Sequence, residues 1–150
     1  RYDDWPGTRD LRPSYCLLLS RVTEGLKGLG LPASQEGVCD LAVGGLKVSG
    51  NAQRRRKHAF LHHGTLLYRP DYAGMARYLA EPADRPEYRG GRSHAEFVGA
   101  VNADPERLRD MLRGVFGARP PAQPPSPREM EAMHRLVGEK YLLDAWNLRQ

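Results

Sequence analysis

The sequence has few cysteines and no long apolar run, and both shortages narrow the range of functions. Cys16 and Cys39 are its two cysteines, too few for a disulfide framework. A reduced, cytoplasmic setting is therefore the default expectation. No apolar stretch approaches the length of about 20 residues that crosses a membrane, and the first residues do not resemble a signal peptide. We therefore expect no membrane partner.

The charge balance favours anionic partners without identifying one. The chain has 150 residues, 27% of them charged, with a formal net charge of +5 and a pI near 9.5. This length suits one globular domain over residues 1–150. A basic protein attracts nucleotides, nucleic acids or acidic protein surfaces. The basic run 54–57 lacks interleaved aromatic residues, so it is more typical of a solvated turn, and we expect no nucleic-acid partner.

Helix and strand signals alternate along the chain. An apolar stripe after Pro13 predicts a helix over 13–29, which Gly30 ends. Extended runs at 38–43 and 46–53, joined by Gly44 and Gly45, predict a β-hairpin, and 60–67 predicts a third strand. Further helices are expected at 72–79, after Ser93, from 104 to 116 and at 127–143. A proline-rich connection over 119–127 precedes the last helix.

The second run of the hairpin alternates polar and small residues. One face of this strand would carry Lys47, Ser49, Asn51 and Gln53. The opposite face would carry Val48, Gly50 and Ala52. Because the second set is small and suits a core, the first set is expected to line a polar site.

Two segments in this region carry a family resemblance. The stretch GLKVSGNAQRR at 45–55, followed by HHGTLL at 62–67, resembles the lipoate–protein ligases and the octanoyl/lipoyl transferases, a group that includes the biotin ligases. Asp40 and Leu41 match an Asp-Leu pair of that family, and the resemblance extends over roughly residues 11–148. It implies an α+β fold, a mixed β-sheet flanked by helices, corresponding to the C-terminal part of a biotin/lipoyl ligase-like catalytic domain.

The resemblance also implies a reaction. A lipoate–protein ligase uses ATP and Mg²⁺ to attach lipoate or octanoate, through an acyl-adenylate, to a lysine of a lipoyl acceptor domain. Such acceptors are the E2 subunits of 2-oxoacid dehydrogenases and the H protein of glycine cleavage. Lys47 would be the catalytic residue, because its ammonium can balance the negative charge that develops on the carboxylate and phosphate. Gly50 would leave room for the substrate to approach the backbone.

The resemblance extends to the binding residues. The expected substrate- and nucleotide-binding residues are Asp40, Ser49, Gly50, Asn51, Ala52, Gln53, His63, Gly64 and Thr65. Asp40 would also hold the magnesium ion.

One element of the family pattern is missing. These enzymes carry an arginine- and glycine-rich loop, of the form Arg-Arg-x-x-Gly-Gly-Gly, well before the catalytic lysine, and nothing in residues 1–37 matches it. The chain also does not begin with Met. Either the chain is a fragment that is completed by an upstream half or another polypeptide with the lipoate-binding loop, or it has lost that site. We expect the fragment, and we expect that it binds an acyl-adenylate poorly, if it is active at all, when alone.

Two alternatives to a ligase remain open at this stage. An octanoyl or lipoyl transferase that needs no ATP would pass the acyl group through a cysteine thioester. Cys39 is the candidate, but the charge of neighbouring Asp40 would oppose a thiolate, and a Pro-Cys-Gly motif is absent. Cys16 is predicted to lie in the core. A non-catalytic accessory subunit is the second alternative.

Two further segments have open interpretations. His62 and His63 alternate along a strand, so one should pack inward and form a hydrogen bond while the other is exposed. The loop carrying Tyr88, Arg89, Arg92 and His94 is either a flap or docking element over the site, or a solvated connection.

Overall fold

The computed structural model describes residues 1–118 and 123–148. Contacts between residues divide the chain into two compact units, with the boundary after Ala118. The single domain over 1–150 stays a prediction. Residues 119–122 of the predicted proline-rich connection lie outside the described residues.

The first unit begins its regular structure with a long helix. Helix α1 spans Leu11–Gly28, close to the predicted 13–29, and Gly30 follows it with a φ of 82°. Its buried face includes Tyr15, Leu19 and Leu26. Cys16 is exposed, so its predicted core position is wrong. A helix advances about 100° per residue, which turns Cys16 away from the face that Tyr15 and Leu19 share.

A four-stranded antiparallel sheet follows α1 along the chain. Its strands are β1 (Ala33–Glu36), β2 (Asp40–Val43), β3 (Leu46–Arg55) and β4 (Phe60–Gly64), adjacent in that order. The predicted hairpin is confirmed as β2 and β3, and its two linking glycines have φ of 57° and 78°. No sequence pattern predicted β1. An isolated parallel bridge joins Lys47 to Val98.

Strand β4 is shorter than the predicted 60–67, although the chain stays beside β3 after it ends. The amide of Thr65 donates to the carbonyl of Gly50 at 3.1 Å, and that of Leu67 donates to Val48 at 2.8 Å. These bonds fix the segment that follows β4 against the middle of β3.

The remaining helices of the first unit have the predicted end signals. They are α2 (Tyr72–Tyr78), α3 (His94–Phe97) and α4 (Pro105–Phe116), with a single 3₁₀ turn at Glu87–Arg89. Asp71 accepts a hydrogen bond from the amide of Gly74, and Ser93 with Glu96 forms a capping box. These caps satisfy amides that the first helical turn leaves unpaired.

The core of the first unit confirms the α+β class, with helices beside a sheet. It contains Tyr15, Leu19, Leu26, Ala33, Leu41, Val48, Val101 and Leu108. Because α1, β2, β3 and α4 all contribute to this cluster, the strands that carry the candidate site are fixed from one side by buried apolar packing.

Two α-helices lie within residues 123–148, the described part of the second unit. Helix α5 spans Pro127–Leu136, a π-helical turn follows at Val137–Tyr141, and α6 spans Asp144–Asn147. The predicted helix over 127–143 is therefore present from residue 127 to residue 141, and residues 137–141 are π-helical rather than α-helical. Gly138, a weak helix former, lies where the regular hydrogen bonding ends. Among the described residues, no helix is both long and apolar enough to cross a membrane.

Candidate functional site

Lys47 and Asp40 form an ion pair across strands β2 and β3. The Nζ of Lys47 lies 2.8 Å from Oδ1 of Asp40, whose side chain is 9% exposed. Asp40 pairs with Gly50 across the two strands. A Cβ at Gly50 would meet Nζ of Lys47 at 3.6 Å, so the lysine side chain lies over the glycine. A Cβ at this distance would be in ordinary van der Waals contact, so Gly50 marks where the side chain of Lys47 crosses β3 toward Asp40.

A β-bulge places Lys47 on this face. Leu41 pairs with Ser49, whereas the next residue, Ala42, pairs with Lys47, so Val48 has no partner on β2. Val48 and Ser49 are both buried. Lys47 therefore shares a face with Gly50, and the predicted common face of Lys47 and Ser49 is wrong. An extra residue in one strand reverses the alternation beyond it, which the spacing of the sequence does not reveal.

The other polar residues of β3 bond to one another on the opposite face. The Nδ2 of Asn51 donates to Oγ of Ser49 at 3.0 Å and to the carbonyl of Cys39 at 2.8 Å. Gln53 accepts a hydrogen bond from Ser14 of α1 at 3.1 Å. Ala52, on the face predicted to suit a core, is exposed.

Tyr88 binds the second oxygen of Asp40. Its hydroxyl donates to Oδ2 at 2.8 Å, and burial, together with this bond, raises the pKa of Tyr88 well above its ordinary value. The hydroxyl is therefore protonated and acts as a donor. The carboxylate of Asp40 thus accepts from Tyr88 on one oxygen and pairs with Lys47 on the other.

These contacts do not fit a magnesium ion held by Asp40. Both of its oxygens already have partners, whereas Mg²⁺ needs free oxygen ligands in an octahedral arrangement. The described residues also contain no cluster of three or more His, Cys, Asp or Glu side chains that could hold a metal.

The loop that carries Tyr88 is packed against the site. Arg89 is 3% exposed, and Arg92 donates to the carbonyl of Gly45 at 3.0 Å and to that of Tyr88 at 2.5 Å. The solvated connection is therefore wrong for this loop. Sequence reasoning singled out these residues but missed the bond from Tyr88 to Asp40, because the two lie 48 positions apart.

A cavity of about 250 Å³ lies at Lys47. Its polar lining comes from Lys47, Thr65, Arg89 and His94, with the backbone of Gly50. The apolar lining consists of Leu67, Met75, Leu79, Pro82, Phe97 and Val98. Cationic groups beside apolar walls suit an amphiphilic anion, one whose tail is apolar and whose head is a carboxylate or phosphate.

The histidine pair has one half-buried member that packs inward and one exposed member, as predicted. His62 is half-buried, its ring centroid lies 5.7 Å from that of Tyr15, and Gln53 lies 3.3 Å from its Nδ1. Burial lowers the pKa of His62 below its ordinary value. His63 is exposed.

A second cavity, of about 220 Å³, is lined by several of the other predicted site residues. They are Ser49, Asn51, His63, Gly64 and Thr65. Thr65 lines both this cavity and the Lys47 cavity. Most of the predicted site residues therefore line one of two cavities, and Lys47 lines the one that also has Arg89 and His94. Asp40, Ala52 and Gln53 line neither cavity.

Cys39 lies at the edge of this arrangement. Its Sγ is 3.8 Å from Oδ1 of Asp40 and the residue is half-buried. The carboxylate that this thiol contacts is negative, which does not favour a thiolate.

A family model and curated relatives match the chain. The model described as "Lipoyl protein ligase A/B catalytic domain" matches residues 3–111. The lipoate-protein ligase LplJ of Bacillus subtilis is 28% identical over 137 residues, which cover 84% of this chain and 41% of that protein. The octanoyltransferase LipM of Brevibacillus brevis is 30% identical over 121 residues, with 74% of this chain and 44% of that protein covered. The chain thus spans about two fifths of these relatives.

Solved structures share the fold. A lipoate-protein ligase A bound with ATP superposes with a TM-score of 0.75 and 22% identity, covering 92% of this chain and 59% of that one. A bi-partite lipoate protein ligase, described with its E2 lipoyl domain, from Thermoplasma acidophilum gives a TM-score of 0.77 at 22% identity. That match covers 94% of this chain and 60% of that chain.

Proposed function

The chain belongs to the lipoyl protein ligase A/B catalytic domain family, and we propose that it is part of an ATP-dependent lipoate–protein ligase. The proposed activity attaches lipoate or octanoate, through an acyl-adenylate, to a lysine of a lipoyl acceptor domain. The observation that carries this proposal is the cavity beside Lys47, where cationic groups adjoin apolar walls. A medium-chain acid has the matching shape, an apolar chain with an anionic head.

Lys47 is the residue we assign to the chemistry. In the first step, a carboxylate oxygen of the acid attacks the α-phosphorus of ATP, and pyrophosphate leaves. In the second step, the amine of the acceptor lysine attacks the acyl carbon, AMP leaves, and the amine loses a proton. Negative charge builds up on the phosphate and on the carbonyl oxygen in turn, and a fixed ammonium stabilises both.

Asp40 and Tyr88 position the lysine in this proposal. Asp40 holds one donor of the Lys47 ammonium, which leaves its other N–H bonds free for a substrate oxygen. Tyr88 fixes the carboxylate from the other side. Among the other predicted site residues, Gly50 and Thr65 line this cavity as well and are proposed to contact the substrate.

We propose that a second half completes the enzyme. The chain spans about two fifths of the curated ligases and 59–60% of the solved ones. The bi-partite ligase of Thermoplasma acidophilum supports an arrangement in which the halves are separate polypeptides. The partners would then be an upstream half with the arginine- and glycine-rich loop and a lipoyl acceptor domain. A cytoplasmic location remains part of the proposal.

An octanoyltransferase is the second candidate, favoured by the similarity to the octanoyltransferase of Brevibacillus brevis. It would use Cys39 as the nucleophile and an acyl-carrier donor in place of ATP. The negative Asp40 beside Cys39 makes it the weaker candidate.

The test is the intact mass of a lipoyl acceptor domain after incubation with the chain and its upstream half. One reaction contains octanoate or lipoate with Mg-ATP, and the other contains octanoyl-carrier protein without ATP. Acylation in the first reaction alone supports the ligase, and acylation in the second alone supports the transferase. No mass gain in either would overturn both and favour an accessory subunit.

Variants separate the two mechanisms. For the ligase, Lys47→Ala should abolish acylation while Cys39→Ser stays active, and for the transferase Cys39→Ser should be inactive. Lys57→Ala is the matched control, because Lys57 is an exposed lysine in the turn after β3. Full activity of Lys47→Ala would remove Lys47 from the mechanism.

A further inference from the structure

Arg89 is the buried charge in the Lys47 cavity that the proposed reaction has not used. It is 3% exposed and lines the cavity together with Lys47 and His94. Arginine is rarely buried to this extent unless its charge and its five N–H groups are satisfied. The partners of the guanidinium therefore decide what this residue can do.

Those partners leave one end of the guanidinium incomplete. Nε donates to the carbonyl of Arg92 at 2.9 Å, and the guanidinium lies 5.0 Å from the ring centre of Phe97. Nη2 is buried and has no hydrogen-bond partner within the described part of the chain. Its nearest anion is Oε1 of Glu81, at 3.3 Å, without the geometry of a hydrogen bond.

Glu81 is a counterion that several basic side chains share. The carboxylate also contacts Arg85 at 2.6 Å and lies 3.8 Å from Nδ1 of His94. Its side chain is 34% exposed, so it can turn into water when an incoming anion takes its place beside Arg89. A buried cation with an open donor, next to a carboxylate that can leave, is typical of a site that accepts an oxyanion.

We propose that Arg89 binds the anionic head of the substrate in the Lys47 cavity, and that Glu81 holds this position until the substrate displaces it. This inference rests on the proposed function for the identity of the ligand. The chemistry of the site specifies an oxyanion, which the phosphate of a nucleotide or the carboxylate of a medium-chain acid can each supply.

The experiment follows the Nε–H signal of Arg89 in nitrogen–proton NMR spectra of the whole chain. The probes are AMP, octanoate and adenosine, the last as the uncharged control. AMP or octanoate should shift this signal and adenosine should not, and the one that shifts it identifies the source of the oxyanion. No shift with either anion, or an equal shift with adenosine, would overturn the proposal.

Two substitutions distinguish binding from a structural role. Arg89→Gln should weaken the affinity for the active probe by about 10-fold or more, the usual effect of losing a hydrogen bond to a charged group. Arg85→Gln is the matched control, since Arg85 contacts the same Glu81 but is exposed. The affinity of Arg85→Gln for the probe should change little.

Glu81→Gln separates a binding role of Arg89 from a purely structural one. If Arg89 were only structural, this substitution would not strengthen the affinity for the probe. Removing the competing carboxylate should strengthen the affinity for the probe several-fold. Glu87→Gln, an exposed carboxylate in the same loop, controls for net charge. Unchanged or weaker affinity in Glu81→Gln would overturn the proposal even if Arg89→Gln fails to fold. Because the test measures binding, it can succeed when acyl transfer fails.

Discussion

At the scale of single residues, Asp40 determines how the cavity is organised. It is nearly buried and holds Lys47 on one oxygen and Tyr88 on the other. A buried carboxylate is tolerated only when it is paired, so the residues around Asp40 cannot be changed independently. The lysine that we assign to the chemistry is therefore also part of the folding of this region.

The first prediction follows from that coupling. Lys47→Ala should lower the free energy of unfolding by about 1–3 kcal/mol, because it leaves a charge on Asp40 without a cation. Adding Asp40→Asn should recover part of this loss, since a neutral amide still accepts from Tyr88. Urea denaturation of the two variants measures both effects. Lys57→Ala should change the stability by less than about 0.5 kcal/mol.

The stabilities of these two variants test whether Lys47 and Asp40 stabilise the folded protein as an ion pair. A double variant that is no more stable than Lys47→Ala would show that the two charges do not depend on each other in the folded protein.

We predict that His62 makes the stability of the folded chain depend on pH. Burial lowers its pKa below 6.5 in the folded state, so between the two pKa values the unfolded chain binds the proton and the folded chain does not. The free energy of unfolding should therefore fall as the pH drops below about 6.5. Urea denaturation at pH 7.5 and pH 5 measures the loss.

His62→Gln should reduce this loss, because glutamine does not titrate. His58→Asn is the control, since His58 is exposed and its removal should leave the pH dependence unchanged. An equal acid effect in His62→Gln and the unaltered chain would contradict the assignment to His62.

At the scale of elements, the junction of β3 and β4 depends on a close fit. Asn51 pairs with Gly64 across these strands, and a Cβ on Gly64 would overlap the amide oxygen of the Asn51 side chain. That side chain also bonds the carbonyl of Cys39 and Oγ of Ser49. Because Gly64 has no side chain, the side chain of Asn51 has room to bond both Ser49 within β3 and Cys39, the residue before β2.

Gly64→Ala should therefore lower the free energy of unfolding by about 1–3 kcal/mol, the usual cost of forcing an extra methyl group into occupied space. Thermal unfolding measures the effect. The double variant Asn51→Ala with Gly64→Ala should lose less than the sum of the two single variants, because each already disrupts the same contact. Strict additivity would mean that the overlap is relieved elsewhere.

Local signals in the sequence predicted most of the elements but not the faces of β3. The hairpin, the helix caps at Asp71 and Ser93, and the segment around Lys47 all depend on neighbours in sequence. The bulge at Val48 does not, because it arises from the register against β2. One extra residue was enough to separate Lys47 from Ser49. The burial of Arg89 and the bond from Tyr88 likewise require contacts between distant segments.

At the scale of the whole molecule, the apolar core and the candidate site lie in the same unit. The core runs from Tyr15 to Leu108, and the match to the family model ends at residue 111. The Lys47 cavity is lined by residues between 47 and 98. The part of the chain before the boundary at Ala118 therefore contains the packing and the contacts that hold the site.

This division predicts that the chain shortened to residues 1–118 folds by itself. It keeps the entire core cluster, and burial of that apolar surface is the main source of stability. We expect a single cooperative transition in thermal unfolding and an Nε–H signal of Arg89 at the same position as in the whole chain. A control shortened to residues 1–103 lacks α4, and with it Leu108 of the core, and should not fold. Loss of the cooperative transition in the 1–118 chain would instead favour the single domain over 1–150 that the length of the sequence predicts.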